Sequence, residues 1–100
     1  MAKDEEVSTL TPKAEADLEG IWTYTASTWS AEQADTYIDQ LTLHFEALAE
    51  NPGLAAPCDH IRAGYRYVQS ERHVIYLRTT GAGIEIVRIL HDRMLPQNHF

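Results

Sequence analysis

Apolar residues recur at helical spacing in the first half of the chain and alternate or run together in the second. Ala14, Leu18, Ile21, Trp22 and Thr25 fall on one stripe, and Ala34, Tyr37, Ile38, Leu41, Phe45 and Leu48 fall on another. Thr11-Pro12 opens the first of these helices: Thr11 is the N-cap, Pro12 occupies the first turn where its missing N–H costs nothing, and Glu15 and Asp17 lie near the positive helix end. The helix runs to Ser27 or Thr28, and Trp29-Ser30 is the joint. Ser30, with Gln33 three residues on, opens the second helix in a capping-box pattern, and Asn51-Pro52-Gly53 stops it. Two long helices joined by so short a turn must lie antiparallel.

Glu6 to Leu10 reads as a short edge strand ahead of the helices. After a loop from Asn51 to about Arg62, the period changes. Tyr65 to Gln69, Val74 to Thr79 and Ile84 to Leu90 are rich in aromatic and β-branched residues and read as three strands. Ser70-Glu71-Arg72 and Thr80-Gly81-Ala82-Gly83 are their turns, the glycines suiting a hairpin that needs positive φ. The expected fold is α+β: an N-terminal strand, an antiparallel two-helix hairpin and a three-stranded antiparallel meander. In the last strand Ile84, Ile86 and Leu90 are expected on one face, and Val87 and Ile89 on the other. One face of the sheet receives the helices. The second, equally apolar on this strand, needs a cover from the chain's own tail or from a partner.

One hundred residues make a single domain with a modest core. No run of 18 apolar residues is present to span a membrane. Lys3 followed by Asp4, Glu5 and Glu6 lacks the apolar centre of a signal peptide. The one cysteine, Cys58, has no internal partner for a disulfide, and a reducing cytoplasm is the expected compartment. Charge is divided unevenly. Up to His60 the chain has two lysines, no arginine and twelve carboxylates; from Ile61 onward it has six arginines against Glu71, Glu85 and Asp92. The net charge of −7 disfavours bulk nucleic acid as partner, while the arginines favour planar recognition of carboxylate or phosphate.

The candidate binding residues follow from that division. Arg88 sits inside an apolar strand, with His91 and Arg93 just beyond it, and a cation so placed needs an anion, an acceptor or a partner surface. Arg62, Arg66 and Arg78 extend the set, and Trp22 and Trp29 are candidate partner anchors. Arg88 has a second reading, as a hydrogen-bond donor within the fold. Tyr37 belongs to the core. Other chemistries lack their pattern. His44, His60, His73, His91 and His99 are scattered, and Cys58 with His60 has no second pair at zinc-site spacing, so no metal is expected. Nothing beside Cys58 lowers a thiol pKa. Gly81-Ala82-Gly83 is a turn and not a phosphate loop, because no Gly-Lys-Ser/Thr or helix follows. No cofactor is implied.

The chain resembles the ParE toxins of bacterial type II toxin–antitoxin systems, within the wider ParE/RelE superfamily. The residues that carry the likeness are LTPKAEADLEGIW from Leu10 to Trp22, then Tyr24, Ala34, Leu41 and LAENPGL from Leu48 to Leu54. They continue with Gly64-Tyr65-Arg66, VIYLR from Val74 to Arg78, GIEIVRILHDRM from Gly83 to Met94, and the short tail Pro96 to Phe100. Asn98 departs from the basic residue that many members carry near the tail histidine. The resemblance implies a non-enzymatic poison that binds DNA gyrase and is neutralised by a ParD-type antitoxin laid over it as a helix and extended segment. It also implies an alternative, the ribosome-dependent mRNA endonucleases of the RelE branch. These look distinctly basic, whereas this chain has no lysine beyond Lys13.

Overall fold

The computed structural model describes residues 7–100. Strand β1 (Val7–Leu10) is followed by helices α1 (Pro12–Thr28) and α2 (Ala31–Glu50), then a 3-10 turn at Pro52–Leu54. Strands β2 (Ala56–Pro57), β3 (Tyr65–Ser70), β4 (His73–Thr79) and β5 (Gly83–His91) come next, and a second 3-10 turn, Pro96–Asn98, lies in the tail. The fold is α+β, as the hydrophobic pattern predicts. Glu6, where the expected first strand begins, lies outside the described residues, as do residues 3–5.

Both expected caps are present. The Thr11 hydroxyl accepts from the Ala14 N–H at 3.1 Å, and the Ser30 hydroxyl accepts from the Gln33 N–H at 3.0 Å. The strands form one sheet in the order β1-β5-β4-β3-β2. The meander is antiparallel, but β1 pairs parallel to β5, Leu10 lying opposite Ile86, so the sheet is mixed. Strand β2 was not foreseen within the expected loop. Its two residues, one of them proline, carry no periodicity, and pairing with Arg66 and Tyr67 alone defines it.

The helical hairpin covers one face of the sheet. Ala14, Ile21, Leu41, Phe45, Leu48 and Ala49 pack there against Ile75, Leu77, Ile84, Ile86 and Ile89. The other face carries a second cluster of Cys58, Tyr76, Val87 and Leu90, with Ile61, Tyr65, Val74 and Phe100 packed on it. The chain's own tail is thus part of the cover, with Phe100 edge-on to Tyr65 and Tyr76 at ring separations of 5.7 and 5.0 Å.

Simple alternation along β5 assigns Ile89 and Leu90 to the wrong faces. Tyr76 pairs with Arg88 but Leu77 pairs with Ile86, leaving Val87 as the extra residue of a bulge. Beyond it the side chains exchange faces, so Ile89 joins Ile84 and Ile86 under the helices while Leu90 joins Val87. The turns also differ from expectation. Of the two glycines at 81 and 83 only Gly83 has positive φ, and the Thr80 hydroxyl holds that turn by accepting from the N–H groups of Ala82 and Gly83. The left-handed position of the β3–β4 turn falls on Glu71 (φ 56°).

Candidate functional site

β1 ends at Leu10, so the second half of β5 would present an unpaired edge if α1 did not close it. The Thr11 N–H donates to the Ile86 carbonyl and the Thr11 hydroxyl donates to the Val87 carbonyl. Six residues later the Asp17 carboxylate accepts from the Ile89 N–H at 2.9 Å. The same carboxylate takes Arg88 in a two-pronged grip, Nε to Oδ2 at 2.8 Å and Nη2 to Oδ1 at 2.9 Å. Arg88 Nη1 donates to the His99 carbonyl, which ties the tail to the same point. The pair is 16% and 14% exposed, and the Asp17 hydrogen bonds hold the guanidinium firmly protonated, above the usual arginine range. Arg88 therefore joins α1, β5 and the tail, its second reading. Asp17, read from sequence only as a helix-end charge, is its partner.

The remaining cations do not form one patch. Arg78 lies opposite Tyr65 and pairs with Glu85 at 2.7 Å, while the Arg62 guanidinium sits 5.9 Å above the Tyr65 ring centre. Arg62 and Arg78 thus flank one exposed end of the tail-covered face, beside exposed Tyr67. Arg66 lies opposite Leu77, toward the helices, and donates to the Pro52 carbonyl at 3.3 Å. His91 ends β5 six residues from Glu85, a separation of about 20 Å at strand rise, and Arg93 follows just beyond the strand.

That far end holds a cluster of titrating groups. His73 and His91 are register partners with rings 5.4 Å apart, and the Tyr37 hydroxyl meets His73 Nδ1 at 2.7 Å while accepting from the Arg72 N–H. His91 Nδ1 lies 3.1 Å from the Arg93 N–H, a contact that needs an unprotonated nitrogen, and 3.2 Å from Asp92 Oδ1, which becomes an ion pair only when that nitrogen is protonated. Gln69 holds the other Asp92 oxygen at 3.1 Å. Tyr37 was expected in the core, and it does pack against the core while its hydroxyl serves this cluster. Periodicity registers the ring and not the hydroxyl.

Burial, and then the neighbouring His91, push the His73 imidazole below its ordinary value; Asp92 and Asp17 oppose them more weakly. An unfolded histidine titrates near pH 6.5. Between that point and the lower folded value the unfolded chain binds more protons, so stability is full above about pH 6.5 and falls as the medium is acidified through this window. Urea unfolding at a series of pH values should show this loss, and His73→Gln should flatten it.

Trp22 and Trp29 lie on the helical hairpin, within α1 and at its C-terminal cap. Trp22 is 38% exposed with its indole N–H donating to Asp35 at 2.8 Å, and Trp29, the C-terminal cap residue of α1, is 72% exposed. Cys58 is wholly buried, and burial followed by Asp59 pushes its thiol up, the opposite of nucleophile activation. Among the described residues no three histidines, cysteines or carboxylates are grouped to hold a metal, and no helix is long and apolar enough to cross a membrane.

A helical hairpin on one face of a mixed five-stranded sheet, with its second face partly covered by the tail, defines a small α+β toxin fold. The chain belongs to the ParE toxin family: the family described as ParE toxin of type II toxin-antitoxin system, parDE, matches residues 9–96. It is 42% identical over 90 residues to Toxin ParE1 of Caulobacter vibrioides, covering 90% of this chain and 93% of that protein. Toxin ParE1 of Mycobacterium tuberculosis is 42% identical over 86 residues, covering 85% and 88%, and Toxin ParE of Escherichia coli is 36% identical over 86 residues, covering 85% and 84%. Among solved structures, one described as the chromosomal ParDE TA system from P. aeruginosa shares the fold, with a TM-score of 0.76, 22% identity and coverage of 88% of this chain and 97% of that one.

Proposed function

We propose that this ParE-type toxin acts in the cytoplasm by binding DNA gyrase stoichiometrically, without catalysis of its own, and that a ParD-type antitoxin neutralises it. Membership of the ParE family over nearly the whole chain is the observation that carries this reading. The charge distribution supports it: with −7 overall, the protein lacks the basic field that docking on ribosomal RNA requires. An acidic, amphipathic antitoxin segment fits the cationic margins of the sheet, and the solved relative described as a ParDE system supports such a partner. Purified toxin should inhibit gyrase supercoiling or trap cleaved DNA while leaving translated mRNA intact.

A second reading, as a ribosome-dependent endonuclease, draws support from the Tyr37, His73 and His91 cluster, where a phenol and two imidazoles lie in contact. On that reading primer extension shows cuts within translated codons and His91→Ala abolishes them.

Arg62, Arg66, Arg78, His91 and Arg93 are the residues proposed to meet the antitoxin. Arg78 is half exposed and already paired with Glu85, so its contact lies at a rim where charge governs association rate more than lifetime. Reversing Arg78 and Arg93 together to glutamate should weaken antitoxin binding by roughly tenfold and flatten its salt dependence. Unchanged affinity and salt dependence in titration calorimetry would remove the electrostatic part of the proposal.

A further inference from the structure

The free end of the helical hairpin has features that the fold does not use. No residue in the run 22–33 is buried, so the last turns of α1 and the first of α2 extend past the sheet-covering part of the hairpin. Two tryptophans stand there. Trp22 and Trp29 are seven residues apart and so share one side of α1. Helix ends favour glycine or asparagine near the position Trp29 takes, and an indole left 72% exposed adds nothing to the cap, which the backbone bond to Thr25 makes. Trp22 is held in place by its bond to Asp35 and is ordered before any partner arrives. Glu32, Asp35 and Asp39 recur at helical spacing on α2. Between Lys13 and Arg62 the chain has no lysine or arginine, and among the described residues none of these three carboxylates is in an ion pair.

We infer that this patch, Trp22 and Trp29 with Glu32, Asp35 and Asp39, is the surface by which the toxin grips its target, and that the target presents lysine or arginine side chains beside apolar ones. Indole faces and exposed carboxylates both attract such cations, and tryptophan is among the residues that most often dominate protein interfaces. The charge also argues against the antitoxin here, because an acidic neutralising segment would meet like charge. The two partners are thus assigned surfaces of opposite charge: the antitoxin to the arginines along the sheet margins, the target to the acidic tip of the hairpin. The inference rests on the reading of the chain as a toxin that acts by binding.

The test compares Trp29→Ala, the double variant Glu32→Lys/Asp39→Lys, and Tyr24→Ala as a control. Tyr24 is as exposed as Trp29 but lies on a different side of α1 from Trp22. Asp35 is left intact because it holds Trp22. Each variant is checked for native melting, then measured for growth arrest on induction, inhibition of purified gyrase, and antitoxin affinity. The expected result is that the first two variants lose potency tenfold or more in growth arrest, keep antitoxin affinity within twofold, and that Tyr24→Ala matches the parent. Folded variants that retain full growth arrest, or that lose antitoxin binding in parallel, overturn the inference. So does sedimentation showing that the patch joins two copies of the toxin and that Trp29→Ala merely separates them. If the variants relieve growth arrest but the parent toxin leaves gyrase untouched, the docking surface stands and the choice of gyrase fails.

Discussion

Asp17→Asn is expected to destabilise the toxin by about 3 kcal/mol, the scale of breaking one half of a largely desolvated ion pair. The substitution keeps the side-chain shape and leaves an acceptor for the Ile89 N–H, but strands the Arg88 guanidinium at 16% exposure with only the His99 carbonyl as acceptor. In a chain of this size that loss corresponds to a fall in melting temperature of roughly 15 °C. A double-mutant cycle separates the pair from its surroundings. Adding Arg88→Met should restore much of the lost stability, because an apolar side chain tolerates the neutral partner. If the two single losses simply add, the pair is not the clamp described.

Phe100→Ala has the second large expected effect, about 2 kcal/mol, below that of a core phenylalanine because Phe100 is only partly buried. Its ring is packed edge-on against both Tyr65 and Tyr76, and no other tail side chain joins that cluster. Losing it should uncover the tail-covered face and loosen the tail. Amide exchange is then expected to quicken at residues 95–100 and along β3, with little change in the helices. Uniform acceleration, or none, would show that the tail does not cover this face. Because Tyr65 also carries Arg62 and faces Arg78, the change should alter antitoxin affinity as well as stability.

Local signals made the helices legible. Thr11-Pro12, Ser30 and Asn51-Pro52-Gly53 each state a helix end in backbone terms, and the stripes between them state which face is buried. The three meander strands and the need to cover their second face were legible for the same reason. What sequence could not supply was pairing. The parallel register of β1, the two-residue β2 and the bulge at Val87 depend on neighbours remote in the chain. The bulge leaves no trace because β5 buries apolar residues on both faces of the sheet, so a change of face at Val87 does not alter the pattern.

The candidate site divided along the same line. That Arg88 needs a partner follows from an arginine in an apolar strand; that the partner is Asp17, 71 residues away, does not. Tyr37, His73 and His91 meet only because α2 crosses the sheet beside the ends of β4 and β5. The tryptophans were identified as possible anchors from residue type alone, and their exposure separates them from the packed aromatics.

The measurement that bears most directly on the account is pulse labelling of DNA and protein synthesis after induction of the toxin without its antitoxin. Thymidine incorporation is expected to fall first, while methionine incorporation and full-length mRNA persist. Early collapse of methionine incorporation, with cut messages on ribosomes and DNA synthesis continuing, would contradict it.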